Sequence, residues 1–167
     1  MRQSKVGELS EVQCVWLAAC LDTDGYITLR RGCNNRPIPK HKVVYNPRSN
    51  FIISPFIGIT NTDIRLCQQA QNFTHCGSIR PKWNRKNSLR PTFDWAVTGS
   101  LNVVPILEQV LPYLIVKKVK AQIVLAWAKG RKATGYNRGY TLKEIEIAFG
   151  LKGLPSVKQG GSYGKTS

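Results

Sequence analysis

Leu17–Arg31 reads LAACLDTDGYITLRR: an unbroken apolar run, two carboxylates one residue apart, a glycine, then an alternating stretch ending in two arginines. Just upstream, Ser10 and Gln13 have the spacing of a capping box, so a helix starts at Glu11. Residues 14–21, CVWLAACL, offer no polar face, and a helix apolar all round is covered on every side. Either it is a central core helix, or its own sheet covers one side and a second subunit covers the other. Ala18 and Ala19 are small enough to let two helix backbones approach closely. Asp22 and Asp24 then fall at the helix C-terminus, where the macrodipole disfavours each carboxylate by about 0.3–1 kcal/mol. Asp22 can do capping or turn work through local hydrogen bonds, and Gly25 permits the turn into the strand. Asp24 is left at the mouth of that turn with lone pairs to spare. A hard divalent cation such as magnesium is held in this way, by one or two carboxylates with phosphate oxygens and waters.

Outward from this stretch, YITLRR alternates as a strand. Residues 32–50, rich in Pro, Asn and basic side chains, read as a long loop or extended hairpin. FIISPFIGIT (51–60) is a second strand with Phe51, Ile53, Ile57 and Ile59 on one face, and Pro55 suggests an irregularity in its pairing. NTDIRLCQQAQNF reads as a helix capped by Asn61 or Thr62. Residues 77–83 and 90–99 form a hairpin around the turn-prone NRKNS, with Phe93, Trp95 and Val97 toward the core. A helix follows from near Leu101, with Pro105 in its first turn, and ends before Pro112. KKVKAQIVLAWAKG is another, stopped by Gly130, and Thr141 with Glu144 caps a short helix to about Phe149. The order α-β-β-α-β-β-α-α describes an α+β domain with one four-stranded antiparallel sheet. It occupies residues 1–150, and residues 151–167 form a flexible basic tail.

With 25 Lys and Arg against 9 Asp and Glu in 167 residues, the formal charge is +16, which calls for a polyanionic partner, most economically nucleic acid. No acid occurs between Asp24 and Asp63, Asp63 and Asp94, or Glu108 and Glu144, and most of the basic residues lie in those gaps. A basic surface assembled from several segments suits a broad phosphate footprint. Five cysteines without a CxxC pair, and only His41 and His75, argue against a zinc site. The odd cysteine count and the lack of a signal-like start point to a reducing intracellular compartment, cytoplasm or organelle matrix. No apolar run reaches membrane-spanning length, so no membrane partner is expected.

LAACLDTDG resembles the LAGLIDADG motif, with Leu17, Ala18, Leu21, Asp22, Asp24 and Gly25 in register and departures at Ala19, Cys20 and Thr23. Together with the element order, this makes the chain similar to the LAGLIDADG homing endonucleases over roughly residues 8–130. There is one copy of the motif and no internal repeat, and single-motif chains of that family work as homodimers. The resemblance implies an αββαββα domain with a DNA-binding sheet. It also implies an intron-encoded, site-specific nuclease that hydrolyses both strands of a long pseudo-palindromic DNA target. Its metal would be Mg2+, with Mn2+ as a substitute and Ca2+ as a non-catalytic one.

The resemblance further implies that Asp24 is the metal ligand, helped by the backbone carbonyl of Thr23. Asn61 falls where a polar residue organises the hydrolytic water, although glutamine is more familiar there. Arg65 and Lys117 fall on catalytic basic positions, while Lys117, Lys118 and Lys120 can equally be generic phosphate contacts. Leu17, Ala18, Leu21 and Asp22 would meet their mates at the two-fold axis.

By alternation the outward sheet residues are Thr28, Arg30, Ser54, Phe56, Gly58, Arg80, Lys82, Asp94 and Ala96, extended by the loop residues Asn34, Asn35, Arg36 and Lys40. A curved antiparallel sheet can lie along a major groove with alternate side chains on base edges. Two other readings share these features: an intron maturase acting on RNA, and a non-cleaving DNA-binding regulator. Loss of the second motif acid would favour the regulator, and Asp24 is present.

Overall fold

The computed structural model describes residues 6–33, 51–82, 91–134 and 140–153. Its elements are α1 (Glu11–Thr23), β1 (Gly25–Cys33), β2 (Phe51–Asn61), α2 (Ile64–Thr74), β3 (Ser78–Lys82), β4 (Thr92–Thr98), α3 (Ser100–Val110), a 3-10 turn (Leu111–Tyr113), α4 (Lys118–Thr134) and α5 (Leu142–Gly153). All strand pairs are antiparallel, in the order β1-β2-β4-β3, and the expected αββαββα order holds. Asn34, Asn35, Arg36 and Lys40, and the tail from residue 154 on, lie outside the described residues.

The capping box that opens α1 is formed: Ser10 Oγ accepts the Gln13 N–H at 3.3 Å, and Gln13 Oε1 accepts the Ser10 N–H at 2.9 Å. Helical periodicity then divides the apolar run into two stripes. Cys14, Leu17, Ala18 and Leu21 are buried in the chain's own core, whereas Val12 and Val15 are 78% and 47% exposed and Ala19 is exposed beside them. This corrects the expected placing of Leu17, Ala18 and Leu21 at a two-fold contact: they face inward, and the exposed stripe of the helix is Val12, Val15 and Ala19.

The sheet's inner face carries Ile27 and Leu29 from β1, Ile53, Ile57 and Ile59 from β2, and Trp95 and Val97 from β4. Val103, Ile106, Leu107 and Val110 of α3 share the same core. Trp95 is fully buried, and its indole N–H donates to the Cys76 carbonyl at 3.0 Å. Pro55 does not break the pairing, for it stands in register opposite Leu29. Its carbonyl accepts the Gly99 N–H at 3.0 Å, and the Gly99 carbonyl turns away to the N–H groups of Asn102 and Val103. The donor that proline lacks would face a strand that has already ended.

Four details of the helices differ from the sequence reading. The cap of α2 is Asp63, whose Oδ1 accepts the Arg65 N–H at 2.9 Å, not Asn61 or Thr62. Pro105 lies in the second turn of α3. α4 runs past Gly130 to Thr134 because Arg131 anchors it: the buried guanidinium sits 4.4 Å over the Tyr140 ring and 3.8 Å from the Glu144 carboxylate. α5, capped by Thr141 and Glu144 as expected, continues to Gly153. Among the described residues no helix is long and apolar enough to cross a membrane.

Tyr140 joins this C-terminal part to the sheet. Its hydroxyl accepts the Ile53 N–H at 2.8 Å and donates to the Ile53 carbonyl at 3.2 Å, at the point on β2 beyond the last rung with β4. Tyr140→Phe leaves both groups without these bonds and should cost about 1–3 kcal/mol. The loss should appear as a lower urea midpoint with an unchanged slope.

Candidate active site and nucleic-acid interface

The two motif carboxylates have different surroundings. Asp22 turns toward the entry to α4, where its Oδ2 accepts the N–H groups of Ile115 and Val116 at 2.7 and 3.2 Å and its Oδ1 accepts that of Lys117 at 2.8 Å. It therefore satisfies donors at a helix N-terminus 95 residues away. The Lys117 ammonium returns the favour, donating to the carbonyls of Leu21, Asp22 and Gly25 at 2.6, 2.8 and 2.9 Å. All three of its protons are used, and positive charge sits at the negative end of α1. Burial pushes the Lys117 pKa down, and the nearby Asp22 carboxylate opposes that shift.

Asp24 is the C-cap of α1 and is exposed. Its Oδ2 accepts the Asn61 amide N–H at 2.8 Å, and the Asn61 Oδ1 accepts the Asp63 N–H at 2.8 Å, which fixes the amide's orientation. Asp24 Oδ1 has no hydrogen bond among the described residues. The Thr23 carbonyl has no helical donor, since the residue four positions on is already in β1. Both are hard oxygen donors on an exposed turn and fit magnesium. Among the described residues no group of three or more His, Cys, Asp and Glu converges; a divalent ion held on these two oxygens would need further ligands such as phosphate oxygens or water. Gly25 is held to glycine by close approach: a Cβ there would lie 2.5 Å from Leu21 Cα and 2.9 Å from the Gly58 carbonyl oxygen. Arg65 forms an ion pair with Asp63 at 2.6 Å, which lowers the Asp63 pKa to about 2.

Across the outer face of the sheet runs a groove of about 660 Å³ lined by Tyr26, Thr28, Arg30, Phe56, Arg80, Lys82 and Asp94. Tyr26 stacks on Phe56 with centroids 5.0 Å apart, and the Arg30 guanidinium lies 5.1 Å from the Phe56 centroid. Ser54 stands opposite Arg30 in register and is half-buried. Gly58 and Ala96 are cross-strand partners that form the floor of this face. Gly58 is buried, and a Cβ on it would collide with the Tyr26 ring and the Trp95 carbonyl. This corrects its expected place among the DNA contacts. Lys118 is exposed and Lys120 half-buried in the first turn of α4, with burial lowering the Lys120 pKa.

No family model and no curated protein matches the sequence. Solved structures do match. The homing endonuclease I-CvuI in complex with its target and calcium aligns with a TM-score of 0.68 at 20% identity, over 90% of this chain and 86% of that one. The archaeal intron-encoded homing endonuclease I-Vdi141I complexed with DNA aligns with a TM-score of 0.64 at 14% identity, over 92% and 90%. The chain has the LAGLIDADG homing-endonuclease fold. The I-SmaMI LAGLIDADG homing endonuclease bound to cleaved DNA matches with a TM-score of 0.56 at 20% identity, over 94% of this chain but 47% of its own.

Within the LAGLIDADG fold, the expected site residues separate into three groups. Asp24, Thr23 and Asn61 stand together at the α1–β1 turn. Arg30, Phe56, Arg80, Lys82 and Asp94, with Thr28, line the groove. Asp22 and Lys117 are occupied in joining α1 to α4. The expected set of contacts omits Tyr26 and Thr60, which alternation places on the outer face in phase with Thr28 and with Gly58. Asp22→Ala should destabilise the protein by about 2 kcal/mol through loss of a charged cap. Asp24→Ala should change stability little, and urea unfolding of the two variants side by side checks the contrast.

Proposed function

We propose that the protein is a site-specific, divalent-metal-dependent DNA endonuclease that acts as a homodimer on a long pseudo-palindromic target. The observation that carries this is the exposed Asp24 carboxylate, steadied by Asn61, beside a concave basic sheet face and on a helix whose outer stripe is apolar. One carboxylate per chain suits a site shared by two copies. Packing Val12, Val15 and Ala19 against their mates would bring the two Asp24 residues together. That I-SmaMI carries about twice the matched length in one chain supports a functional unit of two such domains. The DNA, calcium and magnesium in the I-CvuI complexes support the choice of substrate and metal.

Magnesium, when bound, supplies stabilisation of the attacking and leaving oxygens of an in-line displacement. Asp24 and the Thr23 carbonyl would hold it. Asn61 orients Asp24 with one amide proton and has a second to offer a water. Lys117 fixes the turn that presents Asp24, and Arg65, exposed beside its Asp63 partner, can turn its remaining N–H groups to a phosphate. The exposed Asp24 carboxylate, held by Asn61, favours the nuclease over an RNA maturase or a non-cleaving regulator, for which the basic sheet would suffice.

Asp24→Asn should fold at least as stably, bind a cognate duplex in calcium with comparable or higher affinity, and fail to cut in magnesium. Plasmid cleavage and gel shift measure the two arms, and chelation of the metal should reproduce the variant's loss of cutting. Full cleavage by Asp24→Asn would sink the metal assignment. Val15→Glu should leave the fold intact, because the side chain is exposed, yet yield monomers in sedimentation. A wild type that sediments as a monomer both alone and on DNA would defeat the dimer.

A further inference from the structure

β3 sets Arg80 directly opposite Asp94 of β4. Their side chains share the outer face, with Cα atoms about 4.5–5.5 Å apart, and opposite charges so placed ordinarily attract each other. Here they form no ion pair, the described ones being Arg65–Asp63, Lys129–Glu108 and Arg131–Glu144. Asp94 is held instead by two hydroxyls: Tyr26 donates across both carboxylate oxygens at 3.2 Å, and Thr60 donates to Oδ1 at 2.7 Å. Arg80 is exposed, and both residues line the groove.

An acid in the middle of this face works against phosphate binding in a chain that has only 9 acids. If its task were to hold Tyr26 and Thr60, an asparagine oxygen would accept the same hydroxyls without repelling DNA. A carboxylate differs in accepting only. In the major groove cytosine presents the N4 donor, guanine and thymine present acceptors, and adenine sets an N7 acceptor beside its N6 donor. Arginine is the matching reader of guanine O6 and N7. A fixed acceptor beside a fork of donors is complementary to the whole edge of one C·G pair, and mismatched to the same pair turned round.

We propose that Arg80 and Asp94 together read one C·G base pair in each half of the target, Arg80 on the guanine O6 and N7 and Asp94 on the cytosine N4, with Tyr26 and Thr60 as positioning residues. This rests on the endonuclease reading and adds to it the base pair that this part of the sheet selects. The test is selection of bound duplexes from a randomised library in calcium, followed by sequencing. Wild type should show a preferred C·G pair at one symmetric position in each half-site. Arg80→Ala and Asp94→Asn should each lower that preference about tenfold or more at that same position and leave other positions unchanged. The double change Tyr26→Phe with Thr60→Val keeps the charge but loosens its aim, so it should weaken the cytosine preference in part.

Variants that act at different pairs, or a sharp wild-type profile that neither variant alters, overturn the proposal. Should Asp94→Asn fail to fold, the exposed Arg80 decides: an Arg80→Ala profile with no loss at a C·G pair overturns it. A wild-type protein that selects nothing from the library overturns the endonuclease reading instead.

Discussion

Two helix ends that exchange side chains hold the rest of this molecule in place. Asp22, from the last turn of α1, closes the N-terminus of α4, and Lys117, from the N-terminus of α4, closes the C-terminus of α1. Each supplies the charge that the other helix's dipole favours, and each satisfies backbone groups that would otherwise lack partners. Because the exchange spans the α1–β1 turn, it also fixes the direction in which Asp24 leaves the helix. Two acids in succession at a helix C-terminus are therefore compatible with a stable fold. The first accepts backbone N–H groups within the chain, and the second is left exposed to solvent.

Gly25 and Asn61 complete this arrangement from the sheet side. The close approach of Leu21 and the Gly58 carbonyl leaves no room for a side chain at position 25, so the motif's final glycine is a packing requirement. Asn61, the last residue of β2, reaches back to the Asp24 carboxylate, which ties the end of a strand to the end of a helix. The outer sheet face is organised just as closely. Arg30, Phe56 and Tyr26 stack in sequence, so the ordering cost of these side chains is met within the fold before any ligand arrives.

Elements governed by local period were legible in the sequence: the capping box of α1, the inner and outer faces of β1, β2 and β4, and the order of helices and strands. Features decided by distant partners were not. The α2 cap moved to Asp63 because Asn61 is engaged with Asp24, and α4 passed Gly130 because Arg131 is anchored by Tyr140 and Glu144. Asp24 and Asn61 could be named from the motif and its context, but the hydrogen bond between them could not. The missing polar face of Cys14–Leu21 hid the phase of the helix, and so Leu17 and Ala18 were placed at a surface they do not reach. Asp22 and Lys117 belong to the same case, since each is defined by a partner about a hundred positions away in the chain.

Tyr140 bears on a hazard that every open sheet carries. β2 outlasts β4, and beyond the last shared rung its backbone at Ile53 has an N–H and a carbonyl with no strand beside them among the described residues. Such a bare edge is a template on which another chain can add itself, the first step toward aggregation. The phenol hydroxyl occupies both groups at once and presents nothing that can propagate a ladder. A single side chain from the C-terminal helix region thus ends the sheet where no described strand does, and removes one site of edge-to-edge pairing from a chain whose α1 and α4 expose aliphatic side chains.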